Sequence, residues 1–559
     1  MITHKNPVEL GSRNLTRATS CVLVLLLALM TIDPRATNIA HAADGDLDLT
    51  FGEGGTVVTD FSRSSEVVTD IKVQPDGKIV AVGATALGFS SGEFALARYN
   101  DNGSLDPSFG NGGKVVTNFG VFGGASSLEF QPGGKILVAG HAYANGTDFG
   151  LARYNSDGSL DLSFGDNGKV IESVGSADGC FGMIVQPDGK ILLAGYAGRG
   201  DRQASSFCVV RYNSNGRLDS SFGKDGVAKT AFSDGFDDAF AIALQPDGKI
   251  VLAGSADLNR TKSPIAVARY NTDGTPDTSF GNEGKLTLKL LGSRSQANAV
   301  AIQPNGKIIL AGWVLSEALG REVFAVARLN SNGALDTNFG SGGVVTNELS
   351  ARGGEAQDLL LQRDGKIIVA GFAGFTRSSS LQVFDFAILR YDSNGALDDS
   401  FGQAGILTTN FQRRFNSAFT VTLQPDGKLI AAGSSTRPTA EDVDGVGSDF
   451  ALARYNNINT SSFDICIKDD SNGNMLQIDS LTGEYKFTAC SASLNLAGTG
   501  SVKVKGCKIT LKHAAIDRTI SVTINSCKDK ASASIEVLSS GRSFALSDSD
   551  TAQGACVCQ

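Results

Sequence analysis

Short apolar runs alternate with polar, glycine-containing turns along most of the chain. In one repeating unit, KVVTNF begins at Lys114, a second run ends at Phe130, KILVAG begins at Lys135 and FGLARYN begins at Phe149. Alternation of apolar and polar positions over a few residues is typical of half-buried strands. The pattern therefore predicts four short antiparallel strands in each unit.

Three sequence blocks recur seven times each along the chain. QPDGK-like blocks begin at Gln74, Gln131, Gln186, Gln245, Gln303, Gln362 and Gln424. The arginine of FALARYN-like blocks is Arg98, Arg153, Arg211, Arg269, Arg328, Arg390 or Arg454. The phenylalanine of LDPSFG-like blocks is Phe51, Phe109, Phe164, Phe222, Phe280, Phe339 or Phe401.

A repeat of this length indicates a repeat architecture. Four strands in each unit favour a propeller blade over a helical solenoid or a parallel β-helix. The predicted fold class is all-β: a seven-bladed β-propeller over 43–457, closed by N- and C-terminal strands, plus a small cysteine-rich β domain over 461–559.

The two ends of the repeat region indicate how the ring closes. GDLDLTFGEGG, which begins at Gly45, is the tail of a unit, and the last unit stops after Asn457 without an LDxxFG block. Because an open array would expose two sheet edges, we expect the N-terminal segment to complete the last blade. An open solenoid is the alternative.

The QPDGK block contains a charged pair that could suggest chemistry, Asp76 and Lys78. Asp can bond its own following backbone, and Gly77 suits the left-handed position of a three-residue hairpin. Gly133 and Asn305 replace the aspartate in other copies. We therefore interpret the block as a turn.

The YNDNGSLD hairpin predicts an ion pair in every unit. A three-residue loop at Asp101 to Gly103 places Arg98 opposite Asp106, and Arg454 is left to pair with Asp48. The other aspartates predicted to face an arginine in this way are Asp161, Asp219, Asp277, Asp336 and Asp398.

Two motifs resemble ligand loops without completing them. Asn155, Asp157 and Asp161 match the middle of an EF-hand loop, but Arg153 occupies the first ligand position and no glutamate ends the loop. The FGxxG segments lack the strand-to-helix setting of a phosphate loop. We interpret the first as a turn and expect Phe109 and its equivalents to pack between blades.

The N-terminus predicts export. Basic residues precede the apolar run from Cys21 to Met30, and the small residues Ala40 to Ala42 follow it. This order indicates a signal peptide over 1–42, cleaved before Ala43. The apolar run is too short to span a bilayer, so we expect a secreted or cell-envelope protein without a stable membrane span in its mature form.

The charge and residue inventory narrows the classes of partner and chemistry. A net charge of -9 and a pI near 5.2 provide no basic surface for nucleic acid. After cleavage only His141 and His513 remain, and there is no GxSxG nucleophile motif, which disfavours catalysis. Hydrolysis by a pair of loop carboxylates stays open.

The DGK and NGxLD turns are expected on one face of the ring, and loops of variable length on the other. Variable loops on a rigid scaffold usually carry binding. Features of note are the RGD tripeptide at Arg199, the single tryptophan Trp313, which we expect to cap a hydrophobic gap, and the acidic residues Asp442, Asp444 and Asp449. The three aspartates are candidate ligands for Ca²⁺, with a solvated loop as the alternative.

The segment after about Ser461 has a different β pattern and contains six cysteines. In an exported protein, these cysteines are consistent with a disulfide-stapled sandwich or barrel. Zinc is the competing hypothesis, but the spacings do not form paired CxxC knuckles. Cys180 and Cys208 stand apart, within the repeats.

QPDGKIVAVG and FALARYNDNGSLDPSFG, with their six further copies, resemble the delta-60 repeat family of bacterial secreted proteins, and the phrases are similar to NHL-type propeller repeats. The resemblance implies a propeller and an extracytoplasmic setting, and it brings no catalytic residue. We therefore expect a binding or scaffold protein that recognises a glycan or a protein through the variable-loop face. An extracellular glycan- or lactone-active hydrolase is the alternative.

Overall fold

A computed structural model describes residues 43–457, except 63–64, 87–91, 120–122, 144–145, 200–203, 258–261, 289, 291, 377–381, 412–414 and 437–446. It also describes the backbone of nine strands between 465 and 553. The predicted signal peptide lies outside these residues. Among the described residues, no helix is long and apolar enough to cross a membrane.

The repeats form seven four-stranded antiparallel sheets, as predicted. Blade 1 has β2 (Ser65–Val73), β3 (Ile79–Ala86), β4 (Gly92–Tyr99) and β5 (Lys114–Thr117). Blade 2 has β6 (Gly124–Gln131), β7 (Lys135–Tyr143), β8 (Thr147–Tyr154) and β9 (Lys169–Glu172). Blade 3 has β10 (Asp178–Val185), β11 (Ile191–Gly198), β12 (Ser205–Tyr212) and β13 (Val227–Thr230).

Blades 4 to 6 repeat this order. Blade 4 has β14 (Asp237–Leu244), β15 (Ile250–Ala256), β16 (Ile265–Tyr270) and β17 (Lys285–Leu288). Blade 5 has β18 (Ser295–Ile302), β19 (Ile308–Ser316), β20 (Arg321–Leu329) and β21 (Val344–Asn347). Blade 6 has β22 (Gly354–Leu361), β23 (Ile367–Thr376), β24 (Gln382–Tyr391) and β25 (Ile406–Thr409).

Blade 7 combines both ends of the repeat region, which confirms the predicted closure. It has β26 (Asn416–Leu423), β27 (Leu429–Thr436) and β28 (Ser448–Tyr455), and β1 (Thr56–Thr59) is its outer strand. β1 pairs antiparallel with β28, with Thr59 opposite Phe450. The innermost strand of each blade contacts that of the next, including β26 against β2, so the ring is closed.

The core lies between the blades. Val80 and Val82 of blade 1 pack against Leu128 and Val138 of blade 2, and Phe109 is fully buried in the same cluster. Because neighbouring blades cover both faces of a sheet, the middle strands are apolar on both sides. Phe109 thus packs between blades, as predicted.

The segment after the propeller forms nine antiparallel strands. They are β29 (Ile465–Asp469), β30 (Asn474–Ile478), β31 (Glu484–Thr488), β32 (Asn495–Lys505), β33 (Lys508–His513), β34 (Arg518–Ile524), β35 (Ala533–Val537), β36 (Arg542–Ala545) and β37 (Thr551–Gln553). The sheet has the order β36-β35-β34-β33-β32-β31-β30-β29-β37. Its packing as a sandwich or barrel, and its disulfides, stay predictions.

Candidate functional site

The face that carries the DGK turns is built from one ionic unit repeated in each blade. The arginine Nε donates to the predicted aspartate at 2.6 to 2.9 Å in all seven blades, including Arg454 to Asp48. The DGK lysine reaches the same carboxylate at 2.6 to 3.0 Å. The predicted ion pairs are confirmed, and a lysine joins each of them.

Each arginine also binds the following blade. Arg269 donates to the Ser331 carbonyl at 2.5 Å, and its guanidinium lies 4.5 Å from the centre of the Phe280 ring. Burial alone would raise the pKa of Asp277, but hydrogen bonds from Lys249 and Ser279 lower it below its usual range. The seven aspartates of the ionic units are thus bound by protein donors, which supports a structural role for them.

The turn residues behave as the sequence predicts. Asp76 accepts a hydrogen bond from the backbone N–H of Lys78 at 3.2 Å, and Gly77 adopts a φ of 83°. Asp157 binds Ser159 in its own turn, while Asp161 binds Arg153 and Ser163. The carboxylates of the EF-hand-like stretch are therefore engaged within the protein.

The innermost strand of every blade carries a one-residue bulge that sequence inspection missed. Opposite each bulge, the next strand has a glycine, and a Cβ at Gly83 would lie 1.8 Å from the Val67 carbonyl oxygen. Only glycine permits this approach. The bulged residues are Thr69, Ser126, Phe181, Phe240, Asn298, Gln357 and Phe419.

Four partly exposed rings from blades 2 to 4 meet at the variable-loop end of the innermost strands; we call them the mouth cluster. They are His141, Phe181, Tyr196 and Phe240. The centre of the Phe181 ring lies 5.2 Å from that of His141, 5.9 Å from that of Tyr196 and 4.9 Å from that of Phe240. Gly179 makes room, because a Cβ there would meet both the His141 and the Tyr196 rings.

Polar groups border the mouth cluster. Tyr196 bonds Thr147 of the neighbouring blade, and the Asp238 carboxylate accepts a 2.7 Å hydrogen bond from Ser205. Burial raises the pKa of Tyr196, and the charge of Asp238 adds to the shift. Asp238 lies on β14, two residues before Phe240. Burial lowers the pKa of His141 to about 4, so its imidazole is neutral at neutral pH.

Deeper in the channel enclosed by the innermost strands lies a second group, the channel carboxylates Asp70, Glu129 and Asp358 together with Lys72. Lys72 binds Glu129 of the next blade at 2.8 Å. Asp70 and Asp358 belong to blades separated by blade 7, yet the charge of one affects the pKa of the other.

The two aspartates of this group also tie adjacent blades together. Asp70 accepts the Leu128 N–H at 2.7 Å, and Asp358 accepts the Val421 N–H at 2.8 Å. Burial raises the pKa of Asp358 to about 6, the Val421 bond opposes this, and the charge of Asp70 adds to it. A carboxyl with this pKa can exchange a proton near neutral pH.

The predicted Ca²⁺ ligands are only partly described. Asp442 and Asp444 lie outside the described residues, and Asp449 is buried on β28. Carboxylate oxygens of Asp449, Asp60 and Glu66 lie within 4.8 Å of one another. Each of these three residues has another interaction in the protein, so the calcium site stays a prediction.

The other two features, the RGD tripeptide and Trp313, are engaged in contacts within the protein. Arg199 donates to the carbonyls of Ser233 and Gly235, while the remaining RGD residues lie outside the described part of the chain. Trp313 is only 8% exposed, and the Arg294 guanidinium lies 5.8 Å from its ring centre. Neither residue joins the mouth cluster.

Comparison of the sequence with family models identifies the repeat. The model described as "Domain of unknown function (DUF5122) beta-propeller" matches seven segments, one in each blade. The seven blades contain DUF5122 β-propeller repeats. The matched residues are 74–109, 131–164, 186–222, 245–280, 303–339, 362–401 and 424–459. They contain the DGK turns, the loops that follow β3 and its equivalents, and every residue of the ionic units except Asp48; they leave out the outermost strands and most of the innermost strands.

Solved structures with similarity to the DUF5122 propeller are diverse. A putative oxidoreductase (glucose dehydrogenase) from Thermus thermophilus is 15% identical, covers 72% of this chain and 100% of its own, and has a TM-score of 0.32. A putative 6-phosphogluconolactonase from Bacteroides fragilis is 13% identical, covers 70% and 99%, and has a TM-score of 0.35. A protein of unknown function from Bacteroides caccae is 14% identical, covers 59% and 93%, and has a TM-score of 0.31.

Similarity at this level transfers no activity. No curated protein matches the sequence. The candidate site of the DUF5122 propeller therefore rests on its own residues: the mouth cluster, Asp238 and the channel carboxylates.

Proposed function

We propose that the mature protein is an extracytoplasmic, non-catalytic binding protein that recognises a glycan or a protein through its variable-loop face. The observation that carries the proposal is the mouth cluster, where four partly exposed rings meet and Asp238 lies two residues before one of them, Phe240. Ligand sites typically combine an apolar or aromatic wall with a few polar groups that set orientation. The opposite face supports the same conclusion, because the arginine, lysine and aspartate of each ionic unit bind one another.

The alternative is an extracellular glycan- or lactone-active hydrolase that uses carboxylates. Asp358 favours it, because its raised pKa would suit an acid or a base. However, the Asp358 and Asp70 carboxylates each accept a backbone N–H from the next blade, which gives both a structural function. Binding without turnover is therefore the preferred proposal.

A binding screen tests the proposal. The mature protein, with and without the residues after Ser461, is applied to arrays of glycans and of surface proteins. We expect retention that a Phe181→Ala substitution in the mouth cluster abolishes and that an Asp76→Asn substitution in a DGK turn leaves unchanged. Equal loss with both variants, or hydrolysis of a retained ligand that Asp358→Asn stops, would contradict it.

A further inference from the structure

The chemistry of the mouth cluster narrows the ligand class. We infer that it binds the ring and the protonated amino group of an amino sugar, so that the partner is a glycan with free amino groups. This inference rests on the proposed function, since it names the ligand of the same site.

The aromatic rings of the mouth cluster explain why the ligand should contain a sugar ring. Phe181 contacts His141, Tyr196 and Phe240, so the cluster offers neighbouring aromatic edges and faces. A pyranose presents C–H groups on its faces and hydroxyl groups on its rim. Aromatic side chains combine large apolar area with, in tyrosine, a polar group at the edge. The apolar faces can pack while the rim reaches Tyr196, the neutral His141 and Asp238.

The charged groups near the mouth cluster explain why the ligand should carry a protonated amino group. Asp238 lies on β14, two residues before Phe240 of the mouth cluster, and its acceptor capacity exceeds the single bond from Ser205. Arg199 does not neutralise Asp238, because the Arg199 guanidinium lies 3.9 Å from Asp237 and binds two carbonyls. An ammonium group between a carboxylate and aromatic faces gains from both the ion pair and the cation–π interaction.

The channel carboxylates contribute further negative charge near the mouth cluster. Among the described residues of this group, three are carboxylates, Asp70, Glu129 and Asp358, and one is a cation, Lys72. Burial alone would lower the pKa of Lys72, but the surrounding carboxylates raise it, which reflects the negative potential of this channel. An excess of one sign of charge in a narrow site concentrates ligands of the opposite sign. A cationic sugar is therefore favoured over a neutral or an acidic one.

The test compares three probes by calorimetry at neutral pH, using the mature full-length protein. They are a hexamer of β-linked glucosamine, the same hexamer fully N-acetylated, and a lysine hexamer. We expect the glucosamine hexamer to bind at least tenfold more tightly than the other two. Asp238→Asn, which keeps the acceptor for Ser205, should weaken this binding about tenfold, whereas the surface control Asp76→Asn should not change it.

Each outcome separates the inference from the proposed function. If the acetylated hexamer binds as tightly as the glucosamine hexamer, the site does not recognise the charge of the amino group. If the lysine hexamer binds as tightly, the site does not recognise the sugar ring. Either result overturns the inference. If no probe binds but other glycans or proteins on the arrays do, the inference fails and the proposed function stands. The thermal unfolding midpoint of Asp238→Asn is measured as well, and a midpoint equal to that of the wild type verifies that the variant is folded.

Discussion

At the residue scale, Asp358 shows how a buried carboxyl on an innermost strand makes the stability of the fold depend on pH. Its two oxygens accept the N–H groups of Leu359 and Val421, but burial still raises its pKa to about 6. The folded protein therefore holds this proton more tightly than the unfolded chain, where a carboxyl titrates near 4. The stabilisation is complete below pH of about 4 and is lost as the pH rises through about 6.

We predict that Asp358→Asn flattens the pH dependence of stability between pH 4 and pH 7. Relative to the variant, the wild type should lose on the order of 2 kcal/mol of unfolding free energy over this window, as its carboxyl ionises. Guanidinium denaturation at several pH values measures the slope. The slope is the readout because asparagine has one acceptor oxygen and loses one of the two N–H bonds at every pH.

The control for this measurement is Asp76→Asn. Asp76 also accepts a backbone N–H, but it is exposed in a DGK turn. Its variant should keep the wild-type slope. Parallel curves for wild type and Asp358→Asn would show that Asp358 does not carry the pH dependence.

At the scale of the element, the hairpin register explains which contacts the sequence could predict. Arg98 and Asp106 face each other across a short loop, so local turn geometry alone determines their pairing. The mouth cluster combines side chains from three blades, and neither strand period nor turn type relates those positions. The bulge at Phe181 also moves its side chain out of the regular alternation. For the channel group the sequence did contain a signal, because the innermost strands carry charged residues such as Lys72 and Glu129.

The ionic unit also leads to a prediction for one element. In blade 4, Arg269 and Asp277 are 6% and 7% exposed, whereas Lys249 is 29% exposed. Arg269→Met should lower the unfolding free energy by about 3 kcal/mol, because it leaves a buried carboxylate without its buried cationic partner. Lys249→Met should cost less than about 1 kcal/mol, since a partly exposed pair is screened by water.

Denaturant unfolding of both variants measures this difference, and the double variant Arg269→Met with Asp277→Asn provides the control. Removing the charge of Asp277 should recover part of the loss. If Arg269→Met and Lys249→Met cost the same, the arginine does not hold the blades together as the contacts indicate.

At the scale of the whole molecule, one segment joins the two ends of the ring. Asp48 binds Arg454, Asp44 binds Arg390 at 2.5 Å, and Phe51 is fully buried against blade 7. β1 also covers the edge of β28. The N-terminal segment thus reproduces for blade 7 the contacts that each other blade makes within its own repeat. The order of the blocks made this closure predictable from sequence.

We predict that deleting residues 43–60 opens the ring and that a peptide of the same residues closes it again. The deletion removes the outer strand of blade 7 and exposes the edge of β28, and unpaired edges promote association. The variant should unfold at a lower denaturant concentration and associate as its own concentration rises. Refolding it with the peptide should restore a monomeric ring with one peptide bound. A control peptide with Asp48→Asn and Phe51→Ala should not restore the ring, because it lacks both the ion pair and the buried phenylalanine. If the deletion variant without any peptide is as stable as the wild type, this segment does not close the ring.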